Sequence, residues 1–228
     1  MLLLVQYTLT FASVLILVAL GGCIAEHSGV INLGLEGIMV IGALGGALMM
    51  RYAPDSMGAF GLIICVLLAS IAFGVAYSSL LGVACINFKA NQTIVGTAMN
   101  MLGTAAATVI VKAINTATNP NDVSSTIQYV DEKKQFIVNI GDFEFNWFMA
   151  VTLVALILVW MMLYKTRFGL RLMACGEHPQ AADSVGINVK RMKYLHICLG
   201  CGIMGIGGYY MGLNMSGSFN SSCWINGY

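Results

Sequence analysis

Long uncharged runs separated by short polar interruptions dominate this chain. No charged residue occurs from Met1 to Ala25, and none from Met57 to Phe88. A helix needs roughly 20 apolar residues to cross the hydrocarbon core of a bilayer, so each run is long enough to span it. The pattern predicts six such segments, at residues 2–25, 29–50, 58–87, 93–115, 147–164 and 194–215. The expected fold is therefore an all-α, polytopic transmembrane helix bundle with about six spans, forming one domain over residues 1–228. Two polar stretches, 116–146 and 165–193, interrupt it. Small residues at helix-packing spacing, Gly42 with Gly46 and Gly208 with Gly212, fit backbones that approach closely in lipid.

Composition agrees. Only 9% of the 228 residues are charged and 58% are hydrophobic, against about a quarter charged in soluble domains. The net charge of +1 offers no basic groove for phosphates, so no nucleic-acid partner is expected. The charges also orient the chain. Segment 165–193 carries Lys165, Arg167, Arg171, Lys190, Arg191 and Lys193, whereas 116–146 carries Asp122, Asp131, Glu132, Asp142 and Glu144 against Lys133 and Lys134. Basic loops stay in the cytoplasm, which places 165–193 inside and the acidic loop outside. Lys89 then falls inside and the N-terminus outside, while Arg51 and Lys112 lie near outer helix ends, within reach of the interface by snorkelling.

Two local features carry less. Leu20-Gly21-Gly22-Cys23 resembles a lipoprotein cleavage site, but the first basic residue is Arg51, so the stretch reads as the end of the first span. Cys198 and Cys201 form a CxxC without a second pair, in an apolar run where a thiol acts as a small hydrophobe. No metal site is expected.

Polar groups inside spans are candidates for function, because hydrocarbon penalises them. The first cluster runs from Glu26 through His27, Ser28, Gly29, Asn32 and Gly34 to Glu36 and Gly37. Glycine weakens a helix by about 1 kcal/mol relative to alanine. One or two broken or re-entrant helices are thus expected, with Asn32 and Glu36 on one helix face, lining a path or forming a hydrogen-bond hub; the alternative is a short cytoplasmic turn from Glu26 to Asn32, with Glu36 just inside the next helix. The second cluster follows Asn91 and Gln92. Here Thr93, Gly96, Thr97, Asn100, Thr104 and Ala107 form one helical stripe, with Val95, Met99, Leu102 and Val109 opposite. Such a stripe suits hydrogen bonding to a neutral polar solute and suits helix packing equally. Asn91 to Thr93 also works as a helix start.

The cytoplasmic loop contains Arg167-Phe168-Gly169-Leu170-Arg171 and then Gly176-Glu177-His178-Pro179-Gln180-Ala181-Ala182-Asp183-Ser184-Val185-Gly186-Ile187. Pro179 near the start and Gly186 at the end predict a short helix, with Ala181, Ala182 and Val185 as a small apolar face. This loop, with residues 26–39 and 91–103, resembles the branched-chain amino-acid, ribose and nucleoside permease family of ABC importers, most closely its nucleoside and simple-sugar members.

The resemblance implies a permease that binds no cofactor itself, with ATP and Mg held by a partner ATP-binding subunit. It further implies a second permease subunit, usually a different chain, an extracytoplasmic substrate-binding protein, and a lipid environment in the bacterial cytoplasmic membrane. By motif, Gly176, Glu177, Pro179, Ala181, Ala182, Ser184 and Gly186 would couple to the ATPase, and Asn32, Glu36, Asn91, Thr93 and Asn100 would line the path. Members of that family continue beyond the equivalent of Tyr228, so a C-terminally truncated chain is expected. No phosphate-binding GxxxxGK[ST] loop and no HExxH occur, so neither an ATPase nor a membrane metalloenzyme is expected. The alternative is an ion-coupled carrier using the broken helices, which has no need of the 176–187 loop.

Overall fold

The computed structural model describes residues 2–53, 59–128, 137–140, 143–216 and 218–220. Its helices are α1 (Leu2–His27), α2 (Leu35–Tyr52), α3 (Ala59–Gly82), α4 (Gln92–Thr118), α5 (Trp147–Lys165), α6 (Arg167–Glu177), α7 (Pro179–Ser184) and α8 (Val189–Ser216). Six of them, all but α6 and α7, are long and apolar enough to cross a membrane. The bundle is all-α through its spans. Beyond them lie short antiparallel pairs, β1 (Thr126–Gln128) with β4 (Ser218–Asn220) and β2 (Ile137–Ile140) with β3 (Phe143–Asn146). Asp131, Glu132, Lys133, Lys134 and Asp142 of the acidic loop lie outside the described residues.

Glycine decides how closely the helices approach. Helix α8 packs against α1, α2 and α3, and its small residues meet backbone on every side. A Cβ on Gly42 would fall on the backbone of Gly205, one on Gly208 on the Met39 carbonyl, and one on Gly200 on the Gly21 carbonyl. Gly46 is in turn filled by the ring of Tyr209. At the outer end, Phe148 of α5 stacks on Tyr210 with ring centroids 4.9 Å apart. The outward faces of α1 and α5 stay apolar, with Leu4, Leu15, Leu153 and Leu158 among the exposed side chains. These faces suit lipid.

Two elements differ from the sequence expectation. The second span starts at Leu35 rather than near residue 29, since Gly29 adopts φ 75° and residues 30–34 are not helical. The last span starts at Val189, and the loop before it holds an additional helix, α6. Thr166 caps α6 by accepting the Gly169 N–H at 3.3 Å. Gly169 is required because a Cβ there would strike the carbonyls of Met162 and Leu163.

Overpacking a close-packed core costs about 1–3 kcal/mol. Gly208→Leu is therefore expected to lower the melting temperature of the detergent-solubilised protein. Gly22→Ala, whose new methyl has Met204 Cε as its nearest contact at 4.0 Å, is expected to leave it unchanged. Equal melting of the two variants would remove the close-packing account.

Candidate translocation path and coupling loop

The break between α1 and α2 is built by accounting for its backbone. Helix α1 runs through His27, and the turn that follows is closed by Ser28 N–H to Ala25 O at 3.1 Å and Gly29 N–H to Glu26 O at 2.9 Å. Beyond it, the Ile31 N–H reaches Gln92 Oε1 at 2.7 Å and the Gly34 N–H reaches Asn32 Oδ1 at 3.0 Å. Asn100 of α4 then spans the remaining gap. Its Nδ2 donates to Leu33 O at 3.0 Å and its Oδ1 accepts from Gly37 N–H at 2.9 Å. Buried backbone groups outside a helix need such partners.

Close approach makes this possible. A Cβ on Gly96 would lie 2.8 Å from Leu33 Cβ, one on Gly103 2.7 Å from Gly37 Cα, and one on Gly37 2.5 Å from Met99 O. The predicted stripe on α4 therefore divides. Gly96 and Ala107 belong to the buried face with Met99 and Gly103, so Met99 is not opposite them. Thr93 and Thr97 are exposed beside that face. The physical reason is contact: the glycines admit the 33–37 backbone, and the threonines flank it.

Asn32 and Glu36 do not share a helix face, because Asn32 precedes the helix. Asn32 is buried, with its Nδ2 toward Cys201 Sγ at 3.4 Å and Met204 Sδ at 3.8 Å, whereas Glu36 is exposed in the first turn of α2. Asn91 is the N-cap of α4, accepting the Thr93 N–H at 3.0 Å. Gln92 gave no separate signal in the sequence, being one polar residue among several.

At the same end of the bundle, the 165–193 loop meets the break. A Cβ on Gly176 would fall on the His27 carbonyl, and one on Gly29 would lie 3.2 Å from Gly176 Cα. Glu26, His27, Met173, Gly176 and Glu177 line a cavity of about 380 Å³ there. Helix α7 begins at Pro179, and its C-terminus closes with Gly186 N–H to Asp183 O and Ile187 N–H to Ala182 O, at 2.9 and 3.1 Å. Gly186 adopts φ 85°, a conformation that favours glycine. The expected apolar face is not continuous. Ala182 is turned inward at 5% exposure, while Ala181, Ser184 and Val185, the last at 80%, face outward.

The sequence profile of a family described as the branched-chain amino acid transport system permease component matches residues 4–225. The chain belongs to that family. This permease chain is 38% identical to the guanosine ABC transporter permease protein NupQ of Bacillus subtilis over 213 residues, which cover 90% of the chain and 65% of that protein. It is 33% identical to the nucleoside ABC transporter permease protein NupC of Lactococcus lactis over 220 residues, 94% of the chain and 68% of that protein. The chain thus spans about two thirds of the length of these relatives. No solved structure matches it. With six membrane-competent helices, the permease is a multi-pass protein of the bacterial plasma membrane.

At the other end of the bundle, Arg51 does not snorkel freely. Its Nη1 donates to Asn115 Oδ1 at 2.6 Å and its Nη2 to Thr118 Oγ1 at 3.2 Å. Asn115 is 4% exposed and donates onward to Ser124 O and Thr126 O. The Ser124 hydroxyl and N–H, followed by the Arg51 charge, hold Asp122 below the usual carboxylate range. Lys112 is exposed.

Each neutral hydrogen bond contributes about 0.5–1.5 kcal/mol, with a further penalty for a buried group left unpaired. Asn100→Leu is expected to cost about 1–3 kcal/mol in stability and to speed hydrogen exchange at the Gly37 amide. Thr97→Val, whose hydroxyl bonds only within α4, is expected to leave that amide protected.

Proposed function

We propose that this chain is the transmembrane permease subunit of an ATP-binding-cassette importer that moves a nucleoside or related sugar-like solute by alternating access. The observation that carries the reading is the backbone contact of Gly176 with the His27–Gly29 turn. It joins the loop that would meet an ATPase to the turn that leads into the break at 30–34. The family and the names of its nucleoside-transporting relatives support the same reading.

In this reading the ATP-binding subunit docks on the exposed side of α7, with Pro179, Ala181, Ser184 and Val185 outermost and Glu177 beside them. Ala182 holds α7 to the permease, and Gly176 passes movement of the loop to residues 27–29. The path runs along the exposed edge of α4, past Thr93, Thr97 and Asn100, and past Glu36. A carboxylate facing lipid is costly, so this face is the one a second permease subunit covers, with Asn32 and Asn91 shaping its backbone. An extracytoplasmic substrate-binding protein delivers the solute. Shifting the two arrangements from 1:99 to 99:1 requires about 5.5 kcal/mol of differential binding, supplied by ATP and Mg on the partner subunit. This chain hydrolyses nothing and needs no cofactor or nucleic acid.

The test uses the assembled transporter in lipid nanodiscs. Ala181→Arg and Val185→Arg are expected to weaken ATPase association by about 30-fold, the effect of losing a central contact of about 2 kcal/mol. Gly176→Val is expected to keep association but abolish substrate-stimulated hydrolysis. Ala182→Arg is expected to unfold the loop, since Ala182 is buried. Uptake that persists without ATP and collapses with the proton gradient would replace this reading with an ion-coupled carrier.

A further inference from the structure

The outer ends of α2 and α4 enclose a cavity of about 360 Å³ lined by Arg51, Asn115, Asp122, Ser124, Thr126 and Ile127. Pockets for small molecules begin at about 300 Å³, so the space suits one sugar-sized molecule. We infer that this cavity is an extracytoplasmic solute subsite for a small, neutral, hydroxyl-rich molecule such as a pentose ring. The inference rests on reading the chain as an importer permease and adds to it a place where solute is held at the outer face.

The chemistry of the lining selects the class. Arg51 has five N–H groups, and it bonds to Asn115 and Thr118, which leaves donors for a ligand. Asp122 accepts from the Ser124 N–H at 2.9 Å and is near enough to feel the Arg51 charge, yet the two form no ion pair. An anion would gain from Arg51 and be repelled by Asp122, and a cation would meet the reverse. A hydroxyl suits both, accepting from the guanidinium and donating to the carboxylate, and a vicinal diol can bridge them. Ile127 borders the cavity but is 2% exposed, so its lining is chiefly polar and recognition rests on hydrogen bonding.

The site is also rigid before any ligand arrives. Both N–H groups of Asn115 are committed to Ser124 and Thr126. The turn at 119–124 is fixed by Asp122 N–H to Asn119 O at 2.9 Å and by Thr116 Oγ1 to Asp122 O at 3.2 Å. Rigid groups lose little freedom on binding, which favours recognition. A clamp between α2 and α4 would need only Arg51 and Asn115. The separated charge of Asp122 across the cavity is what a clamp leaves unexplained.

The experiment measures direct binding of D-ribose and guanosine to the assembled transporter in nanodiscs, without ATP and without the substrate-binding protein. Both probes are expected to bind, and ribose 5-phosphate is expected to bind more weakly. Asp122→Asn and Arg51→Lys are each expected to weaken ribose binding about tenfold, as the loss of a charged hydrogen bond of about 1.5 kcal/mol does. Hydrogen exchange in α2 and α4 should be unchanged in Asp122→Asn, which separates recognition from folding. The proposal is overturned if the wild type binds neither neutral probe, if both variants bind as well as wild type, or if the phosphate binds more tightly. It is also overturned if the variants lose only association with the substrate-binding protein. If any of these occurs while ATP-driven uptake persists, the importer reading stands and the subsite falls. Loss of ATP-driven uptake in the wild type would instead sink the importer reading.

Discussion

A chain that leaves one span and enters the next must find partners for its backbone polar groups, and the rest of this structure depends on how that is met between residues 28 and 37. A buried backbone group left unpaired costs free energy comparable to a lost hydrogen bond. Asn100 meets the requirement with one side chain, holding Leu33 O and Gly37 N–H on either side of the α2 start. Gln92 holds Ile31, and Asn32 holds Gly34. Three amides from two parts of the chain thus replace the hydrogen bonds a continuous helix would have made. The break is therefore a fixed feature of the fold, supported mainly from α4.

Glycine explains why α4 can serve this purpose. An amide reaches a neighbouring backbone only if the helices come close, and Gly96, Gly103, Gly34 and Gly37 remove the side chains that would keep them apart. The same device recurs where α8 meets α1, α2 and α3. Interiors packed this tightly do not deform continuously; they shift as bodies. In the importer proposed above, movement of the 165–193 loop would be transmitted through contact of rigid parts, and the Gly176 contact with His27 and Gly29 is the place where the loop meets the bundle's irregular segment.

Six spans were legible because uncharged length is a direct demand of the bilayer. The break was legible because polar and glycine residues at 26–37 contradict that demand, and Pro179 and Gly186 marked α7 because each fixes a backbone angle. Contact partners were not legible. Periodicity gives a residue's angle around its helix but not what stands opposite, so Met99 was set on the wrong side and Ala182 was set on one face with Ala181 and Val185. Asn32 and Glu36 were paired on the assumption that the helix was continuous. Helix α6 was hidden because its amphipathic face is short and its glycine, Gly169, reads as a breaker until the close carbonyls of Met162 and Leu163 are known. Arg51 and Asn115 lie 64 residues apart, and no local pattern joins them.

Polar side chains gather at both ends of the α2–α4 pair, and its middle is mostly glycine and aliphatic residues, with Thr104 and Thr108 bonding back to carbonyls of α4. At the inner end the amides of Asn100 and Gln92 are consumed by backbone, and the groups left facing outward are the threonines of α4 and Glu36. At the outer end the amide of Asn115 is consumed in the same way, and the groups left are the charges of Arg51 and Asp122. Each end therefore separates structural amides from open donors and acceptors. A solute with several hydroxyls finds partners at either end but few between them, so a helix pair that stays rigid favours holding it at one end or the other. In the importer proposed above, the coupled movement of the bundle would then decide which of those ends is open to solute.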